Sequence, residues 1–342
     1  MKCVIKDRPE PGIWIKETSS PRPRAGEVLV RVKRASLCGS DIGLYDFSPA
    51  YAGFANLPII PGHEFAGEVA ELGEGTMKFK VGERVVAESI LPCGNCPLCR
   101  NDQPNLCVNF KIFGVHTNGG FSEYVSVPEK LLHPLRSELT FEQAAVIEPL
   151  SVCCHAVRDV AKIRPTEAVA VVGPGPIGLL AAQVARASGC DYVIVSGIDV
   201  DEARLRIASG LGFKAVNNSK EDLKKIVFST HKVGIDVVIV AAGSGAALTQ
   251  ACDLVRKGGR ILNIAIYPNP VELTVTRLVR GEIALLGTFA STWNNYENAM
   301  ELAVTRKVSI EPLVTHRYPI GEARAAFEKA KAKEGCKVQL LI

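Results

Sequence analysis

In the first part of the chain, hydrophobic residues form short runs separated by turns rich in glycine and proline. Residues 28–33 alternate partly between apolar and polar side chains, as a half-buried strand does. Two further runs, at 67–73 and 82–87, are bounded by glycines. Short strands with this punctuation predict a small barrel-like β domain.

The hydrophobic pattern changes after a short linker at 162–167. Residues 168–172 are an unbroken apolar run, typical of a strand buried on both faces of a parallel sheet. A helical pattern follows at 179–188, and further strands are predicted at 192–196, 235–240, 260–265 and 283–286. Strands alternating with helices predict a doubly wound parallel sheet.

The C-terminal segment mixes the two patterns. It contains predicted helices at 296–305 and 320–332 and predicted strands at 313–318 and 337–342. We interpret this segment as a return to the first domain. The sequence therefore predicts an α/β protein with a β-rich domain at 1–150, a dinucleotide-binding domain at 151–289 and a return at 290–342.

A glycine-rich turn follows the first strand of the second domain. Gly173, Gly175 and Gly178 form a G-x-G-x-x-G motif, with Pro176 and Ile177 leading into the predicted helix. In this context the first glycine makes a tight turn, the second lets the backbone approach a pyrophosphate, and the third lets helix pack on strand. The helix N-terminus favours the anion. The motif predicts dinucleotide binding.

The choice between NAD and NADP depends on the end of the second strand. NAD-binding chains usually carry an acid there, about 20 residues beyond the glycines. Here that position is Gly197, and Asp199 follows two residues later. Asp199 at the ribose would accept the 2′-hydroxyl and repel a 2′-phosphate, whereas Arg204 could hold that phosphate if Asp199 points away. We favour NAD.

A thiol, an imidazole and a carboxylate occur between positions 38 and 64. Cys38 and His63 are residue types that zinc binds, and a catalytic zinc keeps about three protein ligands and one open position. Glu64, or Glu148 later in the chain, could supply the third. The alternative is a buried, inert cysteine beside a hydrogen-bonded core histidine.

Four further cysteines lie close together at positions 93, 96, 99 and 107. Cys93, Cys96, Cys99 and Cys107 fit one tetrahedral zinc ion without an open position, so the predicted role is structural. An iron–sulfur cluster and a zinc finger are the alternatives. The spacing differs from that of bacterial ferredoxins, and no basic helix adjoins the cysteines.

Composition narrows the functional classes. The net charge of +4 is spread along 342 residues without a run of like charges, which argues against nucleic-acid and membrane-surface binding. The first residues lack the apolar core of a signal peptide, and glycines and prolines interrupt the most apolar window, 168–187. Eleven cysteines without an export signal indicate metal binding in a reducing cytoplasm.

Taken together, these motifs resemble the zinc-dependent medium-chain dehydrogenase/reductase family over essentially the whole chain. The matching segments are 38–41 (CGSD), 62–64 (GHE), the four-cysteine lobe, 120–124 (GFSEY) and 171–178 (VVGPGPIG). The resemblance implies a GroES-like catalytic domain, a Rossmann domain and two zinc ions per chain, one catalytic and one structural. It also implies a small alcohol substrate and assembly into a homodimer or homotetramer.

The resemblance also implies a mechanism. Cys38 and His63 would hold the catalytic zinc, with Glu64 as a ligand or close support and Glu148 binding directly or through water. Zinc would polarise the substrate hydroxyl, and the hydride would pass to C4 of the nicotinamide. Ser40 would hydrogen-bond the substrate oxygen and help to pass its proton, while Asp41 supports the local structure.

Within the family, segments 147–152 (IEPLSV) and 312–317 (PLVTHR) are most similar to the sorbitol (iditol) dehydrogenase branch. This similarity predicts oxidation of a secondary hydroxyl in a polyol or sugar-like substrate. Threonine-type 3-hydroxy amino acid dehydrogenases and non-catalytic nucleotide-binding relatives are the alternatives. Two features depart from the family: Gly43 replaces a relay histidine of many relatives, and 287–293 lacks an arginine of the animal sorbitol enzymes.

Overall fold

The computed structural model describes residues 1–342, and seventeen strands run through it. In chain order they are β1 Lys2–Ile5, β2 Trp14–Glu17, β3 Glu27–Ser36, β4 Glu64–Leu72, β5 Arg84–Ala87, β6 Ile90–Leu91, β7 Lys111–Ile112, β8 Tyr124–Pro128, β9 Leu132–Pro134, β10 Val169–Val172, β11 Val193–Gly197, β12 Lys214–Asn217, β13 Ile235–Val240, β14 Val255–Asn263, β15 Ala284–Gly287, β16 Val314–Pro319 and β17 Lys337–Leu341.

Twelve α-helices connect or flank these strands. They are α1 Gly39–Tyr45, α2 Pro49–Ala52, α3 Pro97–Arg100, α4 Phe141–Ala144, α5 Ile147–Cys154, α6 Pro176–Ala187, α7 Glu202–Gly210, α8 Leu223–Thr230, α9 Gly245–Leu254, α10 Val275–Gly281, α11 Trp293–Val304 and α12 Ala323–Lys331. A π-helical segment, His155–Val160, continues α5. None of the helices combines the length and the apolar character that crossing a bilayer requires.

The chain forms two compact units. The first contains Met1–Ser151, Ala290–Val304 and Val314–Ile342, and the second contains Val152–Phe289 and Thr305–Leu313. The short segment Thr305–Leu313 therefore belongs with the second unit, although the sequence assigned all of 290–342 to the first.

The first unit is built around a seven-stranded sheet with the order β16-β17-β3-β4-β5-β9, in which β8 also pairs with β3. β3 is antiparallel to β4, β8 and β17. Apolar side chains that alternate along these strands, such as Val28, Val30 and Val32, are almost completely buried in one core. This arrangement confirms the predicted β-rich domain, in which alternate residues face a common interior.

The second unit contains a six-stranded sheet with the order β12-β11-β10-β13-β14-β15. All its neighbouring strands are parallel. The first strand in sequence, β10, lies inside the sheet and is buried along its whole length. This is the strand order of the doubly wound dinucleotide-binding fold, in which ligands bind beyond the carboxyl ends of the strands. The predicted fold class is confirmed.

Candidate active site

Sheet register in the first unit brings distant parts of the chain to one place. β3 pairs with β4 so that Ser36 lies opposite Glu64, and β3 pairs with β17 so that Gln339 lies opposite Ser36. The residues just after β3, just before β4 and at the start of β17 therefore meet at one end of the sheet.

Cys38, His63 and Glu64 lie together at this end. Their donor atoms, the thiol sulfur, an imidazole nitrogen and a carboxylate oxygen, all lie within 4.8 Å of one another. Cys38 precedes α1, and its backbone N–H donates to Asp41 Oδ2 at 2.8 Å. His63 and Glu64 are 7% and 1% exposed. Three residues that the sequence placed in one site are thus close enough to share one ion.

Polar groups surround the His63 imidazole on both sides. Its Nε2 lies 3.5 Å from Ser40 Oγ, and its Nδ1 lies 3.9 Å from Asp41 Oδ1 without a hydrogen-bond partner. Burial disfavours the imidazolium, but the negative charges of Cys38 and Asp41 outweigh burial and raise the pKa of His63 well above its ordinary value. The negative groups around His63 therefore favour a cation at this place, either the imidazolium itself or a metal ion held by the neutral ring.

The Glu64 carboxylate has a buried counterion that the sequence analysis missed. Lys337 Nζ donates to Glu64 Oε1 at 2.7 Å, to the Leu37 carbonyl at 3.0 Å, and also contacts Glu64 Oε2. Burial opposes the charge on Lys337, but the negative charges of Glu64, Cys38 and Glu148 together outweigh burial and raise the pKa of Lys337. A lysine inside the apolar run of the final strand was the only sequence signal for this contact.

Glu148, in α5, lies in the same region but outside the three-donor group. It is 6% exposed. Burial raises the pKa of Glu148. The charge of His63 lowers this pKa, and the charge of Glu64 raises it further. The structure therefore brings Glu64 closer than Glu148 to the Cys38 and His63 donor atoms.

The donor set of this group fits zinc. A thiol, an imidazole and a carboxylate are the three ligand types that zinc takes, and three protein ligands leave one position open for substrate or water. Asp41 faces the ring nitrogen of His63 opposite Ser40, which is where the carboxylate that orients a metal-binding histidine is found.

The four predicted structural cysteines also come together. The sulfurs of Cys93, Cys96, Cys99 and Cys107 lie within 4.8 Å of one another, and none is in a disulfide. Backbone N–H groups of Cys93 and Asn109 each donate to Cys107 Sγ at 3.3 Å. The backbone N–H of Cys99, followed by that of Val108, lowers the pKa of Cys96 to about 6. The contacts of Cys96 stabilise its thiolate, the form that binds zinc, whereas burial raises the pKa of Cys99 to about 12.

In the second unit, the glycine motif forms the turn between β10 and α6. Gly173 has φ +105°, a conformation that favours glycine. A Cβ at Gly178 would lie 1.9 Å from the Gly173 carbonyl oxygen, so only glycine fits there. Gly175 precedes the helix with open space around it, and Pro176 and Ile177 occupy its first turn. The geometry matches a phosphate-binding turn.

Asp199 and Arg204 follow β11 in the second unit. The Asn217 side-chain amide donates to Asp199 Oδ1 at 2.9 Å, and Arg204 lies 3.5 Å from Asp201. At Gly197 a Cβ would lie 2.8 Å from Pro174 Cγ of the glycine turn. An acid at the usual position is therefore excluded by packing, and Asp199 and Asp201 are the nearest carboxylates beyond the strand.

Two family models match the chain. Residues 24–137 match the alcohol dehydrogenase GroES-like domain, and residues 176–305 match the zinc-binding dehydrogenase family. The first match covers the segment that contains Cys38, His63 and the four-cysteine group, and the second begins at the first residue of α6.

Individual relatives align along nearly the full chain. A sorbitol dehydrogenase of Halalkalibacterium halodurans is 35% identical over 99% of both chains. An L-threonine 3-dehydrogenase of Rhizobium rhizogenes is 31% identical over 99% of this chain and 97% of its own. A solved zinc-binding dehydrogenase of Sinorhizobium meliloti 1021, bound to NADP, has a TM-score of 0.92 and 29% identity, covering 100% of this chain and 99% of its own.

Proposed function

The chain belongs to the zinc-dependent medium-chain dehydrogenase/reductase family, whose members are NAD(P)-dependent oxidoreductases, and we propose that it oxidises a secondary hydroxyl of a polyol or sugar-like substrate. The observation that carries the proposal is the group formed by Cys38, His63 and Glu64. Greater identity to the sorbitol enzyme than to the threonine enzyme favours a polyol.

In this proposal each residue near the three donors has one task. Cys38 and His63 hold zinc, which when bound supplies a Lewis acid that polarises the substrate hydroxyl. Asp41 orients the His63 ring from its Nδ1 side. Ser40, whose hydroxyl lies on the Nε2 side, accepts the proton that the substrate oxygen releases. A bound nicotinamide would supply the hydride acceptor.

We propose Glu64 as the third zinc ligand and Glu148 as a group that acts through water. Glu64 belongs to the three-donor group, whereas Glu148 does not. Because Lys337 shares the Glu64 carboxylate, the net charge that Glu64 brings to the ion is reduced. Glu64 would therefore hold the ion together with Cys38 and His63, and Glu148 would lie close enough to act on the ion through water.

We propose that the four-cysteine group holds a second, structural zinc. Four sulfur ligands leave no open coordination position. This ion would therefore stabilise the loop around α3 and take no part in catalysis. None of the eleven cysteines is in a disulfide, which fits a reducing compartment and supports the cytoplasm. The protein is expected to contain two zinc ions per chain, which metal analysis measures directly.

A spectrophotometric screen tests the proposed activity. NADH or NADPH formation is followed at constant enzyme concentration across polyols, sugars and L-threonine, together with zinc per chain. Turnover of polyols supports the proposal. Turnover restricted to 3-hydroxy amino acids favours the threonine-type alternative, and absence of both turnover and the first-unit zinc favours a non-catalytic nucleotide-binding relative.

We propose NAD as the preferred cofactor because carboxylates dominate the end of β11. Asp199 is exposed there, and Arg204 is engaged by Asp201 rather than available to a 2′-phosphate. Asp199→Asn is expected to lower the ratio of kcat/KM for NAD over NADP by roughly 10-fold, the value of one charge-assisted hydrogen bond. Asp191→Asn, two residues before the opposite end of β11, should leave the ratio unchanged.

We propose a homo-oligomer that forms through the second unit. β15 is the edge strand of the parallel sheet, and its Leu285 is 42% exposed. Val275 and Val279 of the preceding helix are 59% and 71% exposed. An unpaired edge with adjoining apolar side chains is suited to a second copy of the same strand.

Leu285→Arg is expected to convert the assembly into monomers, because it places a charge in the proposed contact. Light scattering coupled to size exclusion measures the molar mass. Val233→Arg is the matched control, since Val233 is 75% exposed elsewhere in the second unit. Equal molar masses for wild type and both variants would place the contact elsewhere or rule out the assembly.

A further inference from the structure

Lys6 is a fully buried lysine of the first unit whose ammonium group lies among backbone carbonyls. Its Nζ donates to the Gly12 carbonyl at 3.0 Å, to the Tyr45 carbonyl at 3.2 Å and also to the Glu10 carbonyl. We call these three carbonyls the carbonyl cage. All three are uncharged, whereas the other buried lysine, Lys337, pairs with a carboxylate.

The carbonyl cage suits a positive charge. Three acceptors match the three N–H donors of an ammonium, whereas a neutral amine has only two. Burial lowers the pKa of Lys6, and the charges of Glu10 and Asp46 oppose the decrease. The ring centroids of Phe47 and Trp14 lie 5.3 Å and 6.0 Å from Nζ, distances at which an aromatic ring attracts a cation. Carbonyl oxygens are also the groups that replace the hydration shell of a potassium ion.

Lys6 also joins two segments that carry the proposed zinc ligands. Its backbone N–H donates to the Ile59 carbonyl at 2.8 Å, and the Ile59 N–H donates to the Lys6 carbonyl at 2.9 Å. Ile59 lies four residues before His63. The Lys6 ammonium meanwhile holds Tyr45, the last residue of α1, and Cys38 is the N-cap of that helix. One buried residue therefore links the helix that follows Cys38 with the segment that leads to His63.

We propose that Lys6 is a positioning residue whose ammonium acts as a built-in monovalent cation and fixes Cys38 relative to His63. The inference rests on the proposed function, because Cys38 and His63 are proposed zinc ligands. α1 has only seven residues, about two turns, so a shift at its C-terminal end is transmitted to Cys38. A cation at that end also interacts favourably with the last carbonyls of the helix.

Lys6→Ala tests whether the carbonyl cage accepts a free cation. The substitution removes Cγ, Cδ, Cε and Nζ, the atoms that n-propylammonium supplies. The melting temperature of the full chain should fall by about 5 °C or more, because buried carbonyls lose their donor. Propylammonium should restore most of this loss. Tetramethylammonium at equal ionic strength should not, since it carries no N–H donor.

Zinc affinity measures the positioning role without turnover. Competition with a chelator follows both ions, and Cys38→Ala, which lacks one of them, assigns the two affinities. In Lys6→Ala the ion of the three-donor group should bind about 10-fold more weakly, the lower end of the loss seen when a group that supports metal ligands is removed. Propylammonium should restore this affinity. The ion of the four-cysteine group is the internal reference and should bind as in the wild type.

Two further variants separate loss of the charge from loss of the side chain. Lys6→Met fills the space of the stem without a charge, so zinc affinity should fall as in Lys6→Ala and propylammonium should not restore it. Lys16→Ala is the matched control, because the Lys16 side chain is 47% exposed in β2 and pairs with Asp7. It should change neither zinc affinity nor the response to propylammonium.

The outcomes distinguish this inference from the proposed function. Wild-type zinc affinity in Lys6→Met would overturn the positioning role, even if Lys6→Ala failed to fold. Equal effects of propylammonium and tetramethylammonium on Lys6→Ala would overturn the built-in cation. A wild type that binds only the four-cysteine ion would overturn the proposed function instead, and the melting temperatures would still report on the carbonyl cage.

Discussion

Replacing Cys38 with alanine is expected to lower kcat by about 10³-fold while leaving dinucleotide affinity unchanged. Cys38 contributes the thiol of the three-donor group, and removing it leaves only His63 and Glu64 for the ion. The glycine turn proposed to bind the dinucleotide lies in the other unit of the chain and keeps all its residues. Initial rates, cofactor titration by fluorescence and zinc per chain measure the three quantities.

Cys3→Ala is the matched control for the Cys38 variant. Cys3 is a fully buried thiol of the same unit and belongs to neither cysteine-containing donor group. We expect two zinc ions per chain in Cys3→Ala and one in Cys38→Ala. If Cys38→Ala kept both ions and full turnover, the proposed catalytic centre would be wrong. Loss of dinucleotide affinity along with turnover would instead indicate general misfolding.

The parts of the site that depend on local sequence could be predicted. The glycine motif can be recognised in the sequence because a phosphate-binding turn needs glycine at fixed spacing between a strand and a helix. Its members are Gly173, Gly175 and Gly178. The four cysteines from 93 to 107 are similarly local, and the structure brings their sulfurs together. In both cases the residue types and the spacing that predict the site lie within about fifteen consecutive residues.

Contacts that depend on sheet register could not be predicted. Lys337 meets Glu64 across 273 positions of sequence, because β17 and β4 both pair with β3. The Tyr51 ring packs against Gly43 because α2 folds back over α1. Neither contact follows from a pattern of spacing. A charged residue in an apolar strand and a glycine inside a helix were the sole local hints.

The predicted ends of strands and helices also differ from those in the structure by a few residues. β14 begins at Val255, five residues before the strand predicted at 260–265, and its pairing with β13 contains an irregularity near the start. The sequence did not predict a strand at 255–259 because Gly258 and Gly259 lie there and glycine is uncommon within strands. Conversely, α6 begins at Pro176 rather than residue 179, because proline is well suited to the first helical turn.

In the protein stripped of zinc, where no metal ion compensates the Glu64 charge, Lys337→Met is expected to lower the free energy of unfolding of the first unit by about 3–5 kcal/mol. The substitution preserves most of the side-chain volume but leaves the Glu64 carboxylate and the Leu37 carbonyl without their buried donor. The side chains of Lys337 and Glu64 are 3% and 1% exposed, so water cannot replace the lost contacts. Both tryptophans, Trp14 and Trp293, lie in the first unit, so urea denaturation followed by tryptophan fluorescence reports on it.

Two further variants determine whether burial of an unpaired charge causes this loss. Glu64→Gln combined with Lys337→Met removes the charge and should recover part of the lost free energy, even though it abolishes the proposed third zinc ligand. Lys329→Met removes a lysine whose partner Glu334 is 59% exposed, and its cost should stay within about 1 kcal/mol. If Lys337→Met were as mild as Lys329→Met, the Lys337–Glu64 contact would contribute little to stability. Its role would then be confined to setting the charge that Glu64 presents to the ion.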